Sequence, residues 1–308
     1  MSSVANVEST GRDRPLARET VYVARSSYRR RKRIVLAVRY LFVLIALAFV
    51  LFPMLWIVGT SFKFPAELLS NPPVWIPKNP TLAHYRTIMR EKGNLALKNS
   101  FVVGVTATLL SVAIGSLAAY SLARFRTGGR HLAFWILSQR MMPPIVLVIP
   151  FFLLLRDAGQ KVSPRIGLDT RPALIALYTM MNLPFVIWMM RSYFLGVPVE
   201  IEESALVDGS TRWGVLWRIT LPLTLPGLIA TATFAFIFSW TEFLFAVSFT
   251  QTKAVTVPVV IAGLTGSQGS NWGQGAALAC IATAPVFALG LLVQKHFVRG
   301  LTLGAVRG

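Results

Sequence analysis

Acids, histidines and cysteines are scarce in this chain, and each shortage removes a class of function. The single cysteine among 308 residues, Cys280, lies inside an apolar run. A disulfide within the chain needs two cysteines and a thiolate metal site more than one, so Cys280 reads as a small packing residue. The three histidines, His84, His131 and His296, are scattered over loops and span ends, none with a second histidine at the spacing a metal-binding helix requires. They read as solvated or interfacial side chains. Charged residues make up only 14% of the composition and acids number 12, with no grouping that resembles a catalytic constellation. The glycine-rich stretch Gly263 to Gly275, GLTGSQGSNWGQG, lacks the Gly-Lys-Ser/Thr ending of a phosphate cradle and reads as an external turn. The chain therefore has no nucleotide-binding loop of its own, and no bound metal or cofactor is expected.

What the chain has in abundance is apolar length. Hydrophobic residues make up 54% of it, and the mean hydropathy is +0.59, a composition for a bilayer. Lys and Arg number 31 against 12 acids, a formal charge of +19. These bases are not gathered on one soluble module; many lie in the N-terminal tail and beside apolar runs, where they orient a membrane protein. Topology explains them better than nucleic acid does. Residues 1–33 form a basic tail ending in Arg29-Arg30-Arg31-Lys32-Arg33, and the apolar run after it is too long for a cleaved signal, so it reads as a retained span.

Runs long enough to cross a hydrocarbon core of roughly 30 Å, about 20 residues each, lie near 34–59, 100–123, 132–155, 172–190, 227–249 and 274–294. The expectation is an all-α polytopic protein of six transmembrane helices, residues 34–308, with both termini cytoplasmic. Arg124, Arg126, Arg130, Arg191, Arg212, Arg218, Lys295 and Arg299 fall on the face of the tail and mark it as cytoplasmic. Pro53, Pro143, Pro144, Pro150, Pro184 and Pro285 lie within spans and predict kinks, because each removes a backbone donor and crowds the preceding turn. Small residues at helical spacing, from Ala113 to Ala119 and from Gly275 to Ala279, allow close helix approach, either inside the bundle or to a partner. One acid, Glu242, falls within the fifth span, where an ionised carboxylate must face protein or water. Arg140 raises the same question in the third. Gln139, Asn182, Trp240 and Glu242 are the candidate residues of a translocation pathway.

The connection between the fourth and fifth spans, about 195–226, breaks the apolar pattern. It reads EIEESALVDGSTRWGVLWRITLPLTLP from Glu200, with Glu200, Glu202, Glu203 and Asp208 close together. Pro198 can open a short helix, and the glutamates fall in its first turns, where the helix dipole favours them. Asp208-Gly209 ends it. Thr211 can cap a second short helix with Trp213, Leu216 and Trp217 on one face, before Leu221-Pro222 turns the chain back toward the membrane. Two aromatics on one side suggest docking against a partner or headgroups.

The spacing of that connection resembles a known family, the permease subunits of ATP-binding-cassette importers, and within it the carbohydrate type with the second, smaller permease of maltose importers. Their loop follows Glu-Ala-Ala, three residues, Gly, nine residues, Ile-x-Leu-Pro. Here it is Glu203-Ser204-Ala205, Gly209, and Ile219-Thr220-Leu221-Pro222, with Ser204 the one departure. The sugar-type likeness rests on further stretches: Phe52-Pro53-Met54-Leu55-Trp56, Ala118-Ala119-Tyr120-Ser121-Leu122-Ala123-Arg124-Phe125, Trp240-Thr241-Glu242-Phe243 and the tail from Gly300 to Gly308. It runs from about residue 34 to the end.

The resemblance implies a non-catalytic half-channel for a sugar or sugar-like solute in the inner membrane of a prokaryote. Its implied partners are a second related permease, an ATPase dimer that binds ATP and Mg, an external solute-binding protein, and lipid. The loop would be the coupling helix, with Glu202, Glu203, Ser204, Ala205, Asp208, Gly209, Trp213, Ile219, Leu221 and Pro222 as its contact and shaping residues. Glu203 would pair with a base of the ATPase, Gly209 would permit the turn, and the tail near Gly304 would reach toward the ATPase interface. The alternatives are the same architecture carrying a polyol or glycerophosphodiester, and a stand-alone transporter or membrane enzyme.

Overall fold

The structure, a computed structural model, describes residues 16–125, 127–265 and 271–305, with side chains over 31–125, 127–129, 131–265 and 271–294. The chain divides into two compact units, Met1–Trp56 and Ile57–Gly308. All regular structure among the described residues is helical. The first unit is the greater part of one helix, α1 (Leu16–Phe62), which carries Pro53 in its interior. Helix therefore begins well inside the basic tail. From Ile34 to Leu55 its large apolar side chains, Phe42 and Phe49 among them, are exposed, as a lipid-facing helix requires.

The second unit continues through α2 (Pro65–Leu68), α3 (Ala83–Ile88), α4 (Asn94–Arg124), α5 (Gly129–Ser138), α6 (Val148–Lys161) and α7 (Arg171–Leu195). After them come α8 (Val199–Val207), α9 (Arg212–Val215), α10 (Leu221–Leu223), α11 (Leu225–Trp240), α12 (Leu244–Phe249), α13 (Val257–Thr265) and α14 (Trp272–Ala305). Among the described residues, four helical segments are long and apolar enough to cross a membrane: Arg31–Phe62, Ala83–Arg124, Arg171–Leu195 and Trp272–Gln294. The count reaches six if two sharply bent pairs are each one span.

The first of those bends, and an early helix stop, correct the expected third and fifth spans. The third is no straight helix: residues 131–141 and 144–161 meet at 91° around Pro143-Pro144. Pro143 is held at ψ 121°, outside the helical region, because the following proline ring forbids it. Pro150, expected to kink this span, instead lies in the first turn of α6, where its missing N–H breaks no bond. Before the fifth, residues 212–223 and 225–240 meet at 78°, where Leu221-Pro222 was expected to turn the chain back; the correction to the span itself is that helix stops at Trp240 rather than running to 249. Glu242 consequently sits in a non-helical break, not in mid-helix. Pro184 and Pro285 lie within continuous helices.

Helices α4 and α7 form the centre of the second unit. Their crossing is close because Gly115 has no side chain: a Cβ there would lie 2.6 Å from Val186 Cγ1. Ser111, Ser116 and Ala119 are buried on the same stripe, which places the first small-residue face inside the bundle. The second does likewise, with Ala276 buried and Ala277 and Leu278 in a buried cluster shared with Val257 and Val260 of α13. In lipid such faces are held by van der Waals fit and hydrogen bonds rather than by expulsion of water.

The end of the bundle away from α8 is tied by polar contacts. Asp169, at φ 56°, accepts from the backbone N–H groups of Gln251, Thr252, Lys253 and Ala254 at 3.0–3.3 Å. Burial pushes its carboxyl upward, but those donors outweigh burial and hold it at about 2. Asn99 donates to the Lys253 and Val255 carbonyls and accepts from Arg171 Nε at 2.7 Å. His84, expected at a solvated or interfacial position, is buried instead, its Nε2 donating to the Lys63 carbonyl at 2.9 Å. The Gly263–Gly275 stretch lies partly outside the described residues.

Candidate functional site

The acidic connection folds into an elbow of two short helices. Helix α8 follows Pro198, whose φ of −55° suits a helix start, with Glu200 and Glu202 in its first turn. It ends in a Schellman stop: Gly209 N–H donates to Leu206 O at 3.1 Å and Ser210 N–H to Ala205 O at 3.0 Å. That stop needs a residue at positive φ, and Gly209 sits at +88°. Thr211 then caps α9, its Oγ1 accepting from Gly214 N at 3.1 Å. A π-turn over Leu216–Thr220 and α10 complete the return to α11.

The elbow has an inner and an outer side. On the inner side Glu202 is 5% exposed. Its Oε1 accepts from Arg124 Nε at 2.9 Å, Arg124 Nη2 at 2.8 Å and Thr220 Oγ1 at 2.8 Å, and its Oε2 from Tyr120 Oη at 3.1 Å. Burial raises the carboxyl's pKa, but the Arg124 guanidinium and the two hydroxyls more than offset it, leaving the group below the usual carboxylate range. On the outer side Glu203, Ser204, Asp208 and Gly209 are exposed. Trp213 and Trp217 are each 61% exposed and Val207 is 87% exposed, an unusual concentration of apolar surface on so short an element. Leu216 does not join them as expected: it is buried in the core in one cluster with Phe194 and Met190.

A second feature is a cavity of about 710 Å³ between α5, α7 and α11, lined in part by Gln139, Arg140, Tyr178, Asn182, Phe238 and Glu242. Arg140 donates to the Met181 carbonyl at 3.1 Å and lies 4.6 Å from the Phe238 ring centre. Asn182 donates to Ser239 Oγ at 2.8 Å and to the Ala235 carbonyl, tying α7 to α11. The Glu242 carboxylate accepts from Phe245 N and Ala246 N at 2.8 and 3.1 Å, so it starts α12 while facing the cavity.

Residues 111–303 match the profile of the binding-protein-dependent transport system inner membrane component. The chain belongs to that permease family. It is 38% identical over 263 residues to a probable ABC transporter permease of Sinorhizobium fredii, covering 85% of this chain and 92% of the relative. It is 37% identical over 272 residues to the trehalose transport system permease of Mycobacterium tuberculosis, covering 86% and 95%. The diacetylchitobiose uptake permease of Streptomyces coelicolor is 35% identical over 261 residues, covering 83% and 92%. Among solved structures, a bacterial ABC transporter that imports the acidic polysaccharide alginate shares the fold at a TM-score of 0.69 and 22% identity, covering 87% of this chain and 98% of that one.

Within this permease the structure sorts the residues singled out by sequence. Gln139, Asn182 and Glu242 come together around the cavity. Trp240 does not: it is buried, donates its indole N–H to the Ala282 carbonyl at 3.2 Å and stacks on Phe236, joining α11 to α14. Glu203, Asp208, Gly209, Trp213 and Pro222 share the exposed elbow, with Ser204, whose hydroxyl bonds back to the Glu200 carbonyl. Ala205, Ile219 and Leu221 are half-buried behind them. Sequence reasoning missed Tyr120, Arg124 and Thr220 as partners of Glu202, having taken Arg124 only as a topological charge. Gly304 lies where side chains are outside the described residues.

Proposed function

We propose that this permease forms half of the translocation pathway of an ATP-driven importer of sugars, moved by an ATPase dimer that docks on the elbow. The observation that carries the reading is the elbow itself: two capped helices with an outward acid, Glu203, and an outward tryptophan pair, in a chain of this family. Rigid caps suit an element that must transmit a push. The elbow would lie on the cytoplasmic face between the fourth and fifth spans, with both termini on the same side and residues 1–33 as a basic cytoplasmic tail. A second permease completes the pathway, and an external binding protein supplies the solute. ATP and Mg bind the ATPase, and this chain is not itself a catalyst.

The sugar assignment draws on relatives named for trehalose, diacetylchitobiose and trehalose/maltose. It is tested by uptake competition in cells that depend on this permease, using a panel of disaccharides, polyols and glycerophosphodiesters. Competition by one or more disaccharides is expected. Competition by a polyol or glycerophosphodiester alone would overturn the sugar assignment and leave the importer reading intact.

A further inference from the structure

Helix α8 is continuous in sequence with α7 on one side and leads through α9 to α11 on the other, yet its strongest side-chain bonds are to neither. Glu202 reaches across 78 residues of sequence to Arg124, the last residue of α4, in an ion pair at 2.8 Å whose side chains are 7% and 6% exposed. Arg124 Nη2 also donates to the Val197 carbonyl at 3.0 Å, just before α8. Tyr120, one turn back on α4, adds a bond to the same carboxylate, and Thr220 ties in the π-turn. So the end of α4 grips the elbow at its entrance and at its first helix, and the gripped carboxylate in turn holds the elbow's exit through Thr220. The other end of α4 holds the segment before α13: Asn99 binds the Lys253 and Val255 carbonyls, and Ser100 Oγ accepts from Val257 N at 2.9 Å.

We propose that the Glu202–Arg124 pair is a strut that joins the elbow to α4, so that a displacement of α8 is delivered to α4 as a rigid movement. Glu202 and Arg124 are positioning residues: neither meets solute or ATPase. The chemistry suits the task. A buried guanidinium that donates from both Nε and Nη2 to one carboxylate oxygen fixes both distance and angle, whereas apolar contacts at the same place would allow sliding. A buried pair is also an all-or-none element, because separating it leaves two unsolvated charges. The inference rests on the elbow being the ATPase contact.

The test uses the complete importer in proteoliposomes, with binding protein and radiolabelled trehalose, or the disaccharide found by the competition panel, and reads sugar imported per ATP hydrolysed. For Arg124→Gln and Glu202→Gln a fall in that ratio of about tenfold or more is expected while the ATPase still co-purifies, since a coupling of about 1.4 kcal/mol corresponds to tenfold. The exchange of the two charges, Arg124→Glu with Glu202→Arg, is expected to recover a substantial part of the ratio, which a loss of general stability would not. Should either single variant be missing from the membrane, Arg124→Lys replaces it, keeping the charge but not the fork; a smaller fall is expected. An unchanged ratio in the variants that reach the membrane overturns the strut. If Glu203→Arg also leaves ATPase binding and import normal, it is the elbow reading that has failed; if Glu203→Arg abolishes both and Arg124→Gln changes nothing, only the strut has.

Discussion

Glu202 and Glu203 are adjacent in sequence and opposite in environment, one enclosed by Arg124, Tyr120 and Thr220, the other exposed. Substitutions should separate them. Glu203→Arg is expected to leave the permease in the membrane and abolish uptake by repelling a basic partner, read by membrane abundance and transport together. Gly209→Pro should do the same by a different route, since proline cannot adopt the +88° that the Schellman stop requires. Glu242→Gln keeps an acceptor oxygen for Phe245 N, so uptake should stay within a few-fold of normal, whereas Glu242→Ala loses the start of α12 at a cost of about 1 kcal/mol. Equal transport loss in both would assign the Glu242 charge to the pathway. Asp169 offers a pH test. Its carboxyl is depressed from 3.8 to about 2, so its contribution is complete above the usual value and is lost as pH falls through the folded one. Amide exchange at residues 251–254, corrected for intrinsic rates, should stay slow from about pH 7 to about 4 and speed up near 2. In Asp169→Ala it should be fast throughout.

At the scale of elements, the parts legible in the sequence were those set by local chemistry. Gly209 after Asp208, Thr211 before Arg212, and Pro198 ahead of three glutamates announced the ends of α8 and α9, because caps depend on residues a few positions apart. Which glutamate turned inward was not legible, since the answer lay in Arg124, far away in sequence. The double proline announced a disturbance in the third span but not its 91°, which neighbouring helices determine. Apolarity on both sides carried the fifth span past Trp240, because the break at 241–243 is only three residues long and the Glu242 cap replaces helical bonds. Glycine spacing predicted close approach, and the structure supplied the partner. Gly115→Leu should therefore lower the melting temperature of the purified permease, with an overpacking cost of about 1–3 kcal/mol or more. Gly263→Ala, with nothing within 4 Å, should not lower it. On the elbow, Trp213→Ala with Trp217→Ala is expected to weaken ATPase association by more than about tenfold, as loss of exposed aromatic anchors does. Undiminished co-purification would move the docking surface elsewhere.

At the scale of the molecule, the acids of the connection divide by environment: Glu202 is enclosed within the elbow and Glu203 faces outward. The long helix α4 runs from that elbow to the opposite end of the bundle, bonded to Glu202 at one end and to the Val255 carbonyl at the other. The most direct measurement is sugar uptake into proteoliposomes, comparing this permease alone with the assembly of both permeases, ATPase dimer and loaded binding protein. The account predicts ATP-dependent uptake by the assembly and none above background by the chain alone. Comparable uptake by the chain alone, without ATP or ATPase, would contradict it.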